Sequence, residues 1–168
     1  MANIKIFSDD TYGCEFFKKL TNRLKNDKKI NVGWSVNTDR LPGKCYTKIE
    51  RVIRASNLDF EKIVIIADAD GPHNKSKVFQ EINIHIPEGC KSKTKLIILD
   101  YELEEWICCC LGINFQKSKP SEALSDWCRR QRDNEYKKWQ LPNFVKELNT
   151  DILQTYPSFK EFVNVFNQ

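Results

Sequence analysis

Several common signals are missing from this 168-residue chain, and each absence removes a class of function. It has two histidines, and its seven cysteines form neither CxxC pairs nor the Cys/His spacing of a zinc site. A chain of this length requires no disulfide scaffold, and an odd cysteine count fits a reduced cytoplasmic protein. There is no GxxxxGKS/T loop, so any nucleoside-triphosphate hydrolysis would belong to a partner. No apolar run approaches the length that crosses a bilayer, and "MANIKIFSDD" lacks a signal peptide's basic start and long apolar middle. An intracellular protein with no membrane partner is expected. Internal repeats and low-complexity linkers are absent as well.

What remains is 40% apolar and 30% charged, the balance of one globular domain. The net charge of +4 permits contact with nucleic acid without demonstrating it. In the first half, short apolar runs alternate with amphipathic stretches, the pattern of an α/β fold with a mostly parallel sheet and crossover helices. Strands are predicted at "IKIF" (4–7), "INVGWSV" (30–36), "KIVIIA" (62–67) and "KLIIL" (95–99). The β-branched density of the last two predicts burial on both faces. Phe16, Phe17, Leu20 and Leu24 mark one helical face after the first strand, and Ile49, Val52 and Ile53 another after the second. Beyond Leu99 the pattern turns helical: 102–111, a helix from Ser121 after Pro120, and two short ones around Phe144 and Phe159. The expected organisation is an α/β core over 1–116 with a helical C-terminal extension, 117–168, packed on the same domain.

Acidic residues follow three of the four strands: Asp9 and Asp10, then Asp68 and Asp70, then Glu102, Glu104 and Glu105. In an open parallel sheet the C-terminal strand ends share one edge, where ligands bind, so carboxylates far apart in sequence converge. Carboxylates brought together without counter-charge repel and resist ionisation, whereas Mg2+ accepts one or two of them with water and phosphate oxygens. A blander reading stands beside this one. Asp10 alone serves equally as a helix cap, and Glu104 and Glu105 suit the positive end of a helix. Asp68 and Asp70 make the stronger case, because DxD on an extended chain sends both side chains to one side.

The tail carries Lys117, Lys119, Arg129, Arg130, Arg132, Lys137 and Lys138 among Trp127, Tyr136 and Trp139, the combination that single-stranded nucleic acid uses. Asp126, Asp133 and Glu135 interleave with these cations, as on any solvated helix. Cys108, Cys109 and Cys110 fall about 100° apart around a helix and cannot share one metal, so they read as small apolar filler.

With "IFSDDTYGCEFFKKL", "IVIIADADG", "YELEEWICCCLG" and "LPNFVKELNTDILQTYPSFKEFVNVF" in this order, nearly the whole chain resembles small Toprim-like proteins. Their genes accompany ATPases in prokaryotic defence loci. More distantly it resembles nucleases of the overcoming-lysogenization-defect type. The resemblance implies a Toprim-like Rossmannoid fold and phosphodiester cleavage of DNA or RNA with Mg2+ or Mn2+. It implies metal binding by Asp68 and Asp70, Asp9 as ligand or general acid-base residue, and Glu104 completing the site beside Glu102. A separate ATPase subunit and a homodimer are the partners it admits. Lys75 or Lys95 would stabilise charge on the scissile phosphate, with Lys75 equally readable as a surface residue. Arg129, Arg130, Arg132, Lys137 and Lys138 would contact nucleic acid. The family has Glu followed by Gly after the first strand, where this chain has Asp9 and Asp10, one methylene shorter at the first position.

Two other readings use the same residues. A receiver-like signalling domain also has an acidic pair after its first strand and an aspartate after its third, which would make Asp68 a phosphorylation site. It has no need of Asp70, of "ELEEW" or of the helical tail. The other is a Toprim-shaped interaction protein that has lost catalysis, to which the Glu-to-Asp departure points.

Overall fold

Strand β1 (Ala2–Ser8) lies between β2 (Trp34–Arg40) and β3 (Lys62–Asp68), and β4 (Thr94–Leu99) completes a four-stranded sheet of order β2-β1-β3-β4. The structure is a computed structural model that describes residues 2–168. Every pairing is parallel, with Ile6 opposite Thr38 on one side and Val64 on the other, and Ile65 opposite Leu96. Parallel neighbours require crossovers, supplied by helices α1 (Gly13–Asn26), α2 (Lys48–Asp59) and α3 (Lys75–Asn83). This is the α/β fold with a helical C-terminus that the alternating pattern predicts. No described helix is long and apolar enough to cross a membrane.

The strand period of two splits the core. Ile4, Ile6, Val64, Ile66, Ile97 and Leu99 face α1 and the C-terminal helices, whereas Phe7, Ile63, Ile65, Ala67 and Ile98 face α2 and α3. Burial on both faces accounts for the unbroken apolar run in β3.

After β4 come α4 (Glu104–Leu111), α5 (Pro120–Arg132), α6 (Thr150–Leu153) and α7 (Pro157–Asn167), with a 3-10 segment over Lys138–Glu147. Pro120 opens α5 at the first turn, where its missing N–H costs nothing, and Asn149 caps α6 through its side-chain oxygen. These elements share the larger core with the sheet. Trp106 on α4 is fully buried, with Phe17, Phe159 and Phe162 at ring separations of 6.1, 5.1 and 6.0 Å, and its indole N–H donates to Ser158 Oγ at 2.9 Å.

Two expectations need correction. The second strand begins four residues later than Ile30, because Ile30 is buried against the core below α1 and residues 34–40 form a half-exposed edge. The helix around Phe144 is of the 3-10 type, over Lys138–Glu147, and the one around Phe159 runs eleven residues.

Candidate functional site

From β1 the chain crosses to β2 on one side, then returns past β1 to β3 on the other, so the connections diverge above the β1/β3 pair. Such a divergence leaves a crevice at the carboxyl ends of the strands. Asp9 and Asp10 follow β1 there, Asp68 is the last residue of β3, Glu102 lies in the turn between β4 and α4, and Glu104 is the first residue of α4.

One half of the cluster joins Asp9 to Asp68. Asp9 Oδ2 accepts the Asp68 backbone N–H at 3.1 Å, and Lys44 Nζ lies 3.2 Å from the same oxygen while donating to the Asp68 carbonyl. Asp68 Oδ1, by contrast, is buried with no hydrogen-bond partner. Burial raises the Asp68 carboxyl well above its ordinary range, and the charges of Asp9 and Asp10 raise it further. The Asp9 carboxyl is raised by burial too, against the opposing pull of Lys44. Beside Asp9 an open hollow of about 580 Å3 is lined by Arg40, Leu41, Pro42, Gly43 and Lys44.

The other half is organised by Lys138. Its ammonium stands 2.8 Å from Asp10 Oδ2, 2.7 Å from Glu104 Oε1 and 3.7 Å from Glu102 Oε2. Each carboxylate also accepts a fixed donor: Asp10 Oδ1 from the Tyr12 N–H at 2.7 Å, Glu102 Oε1 from the Ser121 N–H at 2.7 Å, and Glu104 Oε1 from the Tyr136 hydroxyl at 2.7 Å. Burial opposes the charge on Lys138, but Glu104 and Asp10 outweigh it and hold the ammonium above its usual range. Burial raises the Glu104 carboxyl, Lys138 opposes that rise, and Glu102 adds to it.

No family model, no curated protein and no solved structure matches the chain.

Of the residues expected here, Asp9, Asp68, Glu102 and Glu104 meet at the crevice. Asp70 does not project beside Asp68, because the strand ends at Asp68 and Asp70 turns into the left-handed region with φ 54°. Its carboxylate is exposed and 3.9 Å from Lys119 Nζ. Lys75 pairs with Asp100 at 2.7 Å, and Lys95 with Glu161 at 2.6 Å.

The cations expected to contact nucleic acid are mostly engaged within the fold. Arg129 pairs with Asp126 and Glu135, Arg132 with Glu147, and Lys137 with Glu135. Lys138 is turned into the acidic cluster, where three carboxylates attract it more strongly than solvent does. Arg130 alone of the five has no ion-pair partner among the described residues.

Lys44 and Tyr136 are members that sequence reasoning does not place in the site, whereas Asp10 and Glu105 belong to its strand-end acids without a stated role. Asp10 both caps and pairs: one oxygen closes the turn at Tyr12 and the other binds Lys138. Glu105 is fully buried, its Oε2 accepting the Tyr101 N–H at 2.7 Å and its Oε1 without a partner. Burial pushes its carboxyl up to about 7. Among the described residues no three His, Cys, Asp or Glu side chains form a ready-made ligand set for one ion. The pair that accepts a cation most naturally is Asp9 with Asp68: all its donors are oxygen, and one buried oxygen lacks any partner.

Proposed function

We propose that the chain is a Toprim-like nuclease that cleaves phosphodiesters of DNA or RNA with Mg2+ or Mn2+. The observation that supports this reading is the buried, unpartnered Asp68 Oδ1 beside Asp9 at the sheet's divergence point. A buried carboxylate oxygen without a donor costs about 1–3 kcal/mol or more, which binding of a cation would offset. Asp9 reaches the end of β3 despite being shorter than the family's glutamate, since its Oδ2 contacts the Asp68 N–H. Asp9 and Asp68 would hold the ion, which supplies charge to neutralise the scissile phosphate and acidify a bound water.

The protein's own part is positioning. Lys44 fixes Asp9 and the Asp68 carbonyl, and with Arg40 it makes the hollow beside Asp9 cationic, the side on which a phosphate would settle. Asp70 and Lys119 stand at the rim. Glu102 and Glu104 hold Lys138, and with it Asp10, in place. The setting we infer is cytoplasmic, with a separate ATPase subunit and a second copy of the chain as the partners that the resemblance admits.

The test is incubation of DNA and of tRNA with the purified chain in Mn2+, alone and with its ATPase. Asp68→Asn should abolish cleavage, a loss of at least about 100-fold if the ion is essential. Cleavage that survives in this variant belongs to another site. Metal binding without cleavage of any nucleic acid would favour the inactive interaction protein.

A further inference from the structure

The carboxylates at the crevice are of two kinds. Asp10 and Glu102 each have a backbone donor on one carboxylate oxygen and Lys138 on the other, while Glu104 Oε1 meets both the Tyr136 hydroxyl and Lys138, which also donates to Oε2 at 2.9 Å. Asp68 has no donor on Oδ1. Lys44 and Lys138 are thus the two ammonium groups among five carboxylates, and Lys138 joins the glutamates to Asp10, just beyond the first strand. A lysine ammonium is a compact point charge with three donors, and here it meets three carboxylates.

Resting on the metal reading above, we infer that Lys138 is the site's built-in second cation. The chain then binds one divalent ion, at Asp9 and Asp68, and Glu102 and Glu104 hold the lysine rather than metal. Lys138 is a positioning residue that sets the ion count. Its carrier is the 3-10 segment, anchored where Leu141, Phe144 and Val145 enter the larger core. The attachment is rigid on the core side, while the Lys138 side chain itself is 37% exposed. Removing the ammonium therefore leaves Asp10, Glu102 and Glu104 without their shared counter-charge, which an ion from solvent would then supply.

The experiment is a calorimetric titration of the metal-free full chain with Mn2+, paired with the electron paramagnetic resonance spectrum of the loaded protein. The wild type should take one ion and give an uncoupled mononuclear spectrum. Lys138→Met, which keeps the stem and removes the charge, should take two, with an exchange-coupled spectrum. Two ions in the wild type would overturn the inference and leave the Asp9/Asp68 site standing, whereas no ion in the wild type would defeat both. A folded Lys138→Met variant that still takes one ion also overturns it. If that variant does not fold without metal, adding Mn2+ before thermal unfolding should restore a cooperative transition with two ions bound. Failure of Mn2+ to restore it would count against the inference. Lys138→Arg, which keeps the charge, should bind a single ion.

Discussion

Glu105 shows how a single residue sets the response to pH. It lies next to Glu104 yet faces away from Lys138, toward the Asp100–Tyr101 turn. The Asp100 and Tyr101 carbonyls accept the Gly71 and Asp70 N–H groups at 2.8 and 3.2 Å. Protonated, Glu105 carries no uncompensated charge; ionised, it leaves Oε1 buried and bare. Its folded value of about 7 lies above the ordinary 4.5, so the folded chain binds more protons than the unfolded one between these limits. Stability from this group therefore falls as pH rises through that window, by on the order of 3 kcal/mol at most. Asp68, Asp9 and Glu104 are displaced in the same direction. Metal-free protein should melt lower at about pH 8 than at about pH 5, and Glu105→Gln should flatten part of that decline. An unchanged slope in the variant would show that another group governs it. The acidity of Asp9, Asp68 and Glu104 was legible in sequence, but their inequality was not. It arises from Lys44 and Lys138, which reach the crevice from distant segments and carry no local mark of doing so.

Elements whose residues are buried on both faces announced themselves best. β1, β3 and β4 lie where their apolar runs place them, and α1 carries its four predicted core residues inward. β2 was misplaced because it is an edge: Trp34–Arg40 alternates half-exposed and exposed residues, leaving little hydrophobic signal, while Ile30 has an apolar role outside the sheet. The DxD spacing misled for a related reason, since it presumed that the strand outlasts Asp68. A constraint that only the structure reveals is the tight turn from β1 to α1. A Cβ on Gly13 would stand 2.0 Å from Ser8 Oγ and 3.3 Å from Asp10 Cβ. Gly13→Ala must push aside the turn that carries Asp9 and Asp10. The expected cost is about 1–3 kcal/mol in thermal or denaturant unfolding, together with weaker Mn2+ binding. Metal affinity equal to wild type would mean that the turn yields without moving the carboxylates.

At the scale of the whole molecule, the α/β part and the tail share one hydrophobic core. Phe159 and Phe162 are fully buried and Phe166 nearly so, packed with Phe17, Trp106 and Trp34. Ending the chain after Tyr156 removes all three rings, and truncations of buried aromatics cost about 3–5 kcal/mol each, enough together to exhaust the stability of an ordinary domain. The shortened chain should lose its cooperative thermal transition by circular dichroism. Retention of that transition would show that the sheet and its crossovers stand alone. The sheet order has a further consequence in time rather than in space. No strand pairs with a neighbour through a local hairpin, and β1 must wait for β3, which starts at Lys62, before its second edge is covered. A parallel topology of this kind folds slowly, because long loops close before their contacts form. Lys138 comes later still, so until the tail is made Asp9 can have its lysine, Lys44, while Asp10, Glu102 and Glu104 lack the ammonium that joins them.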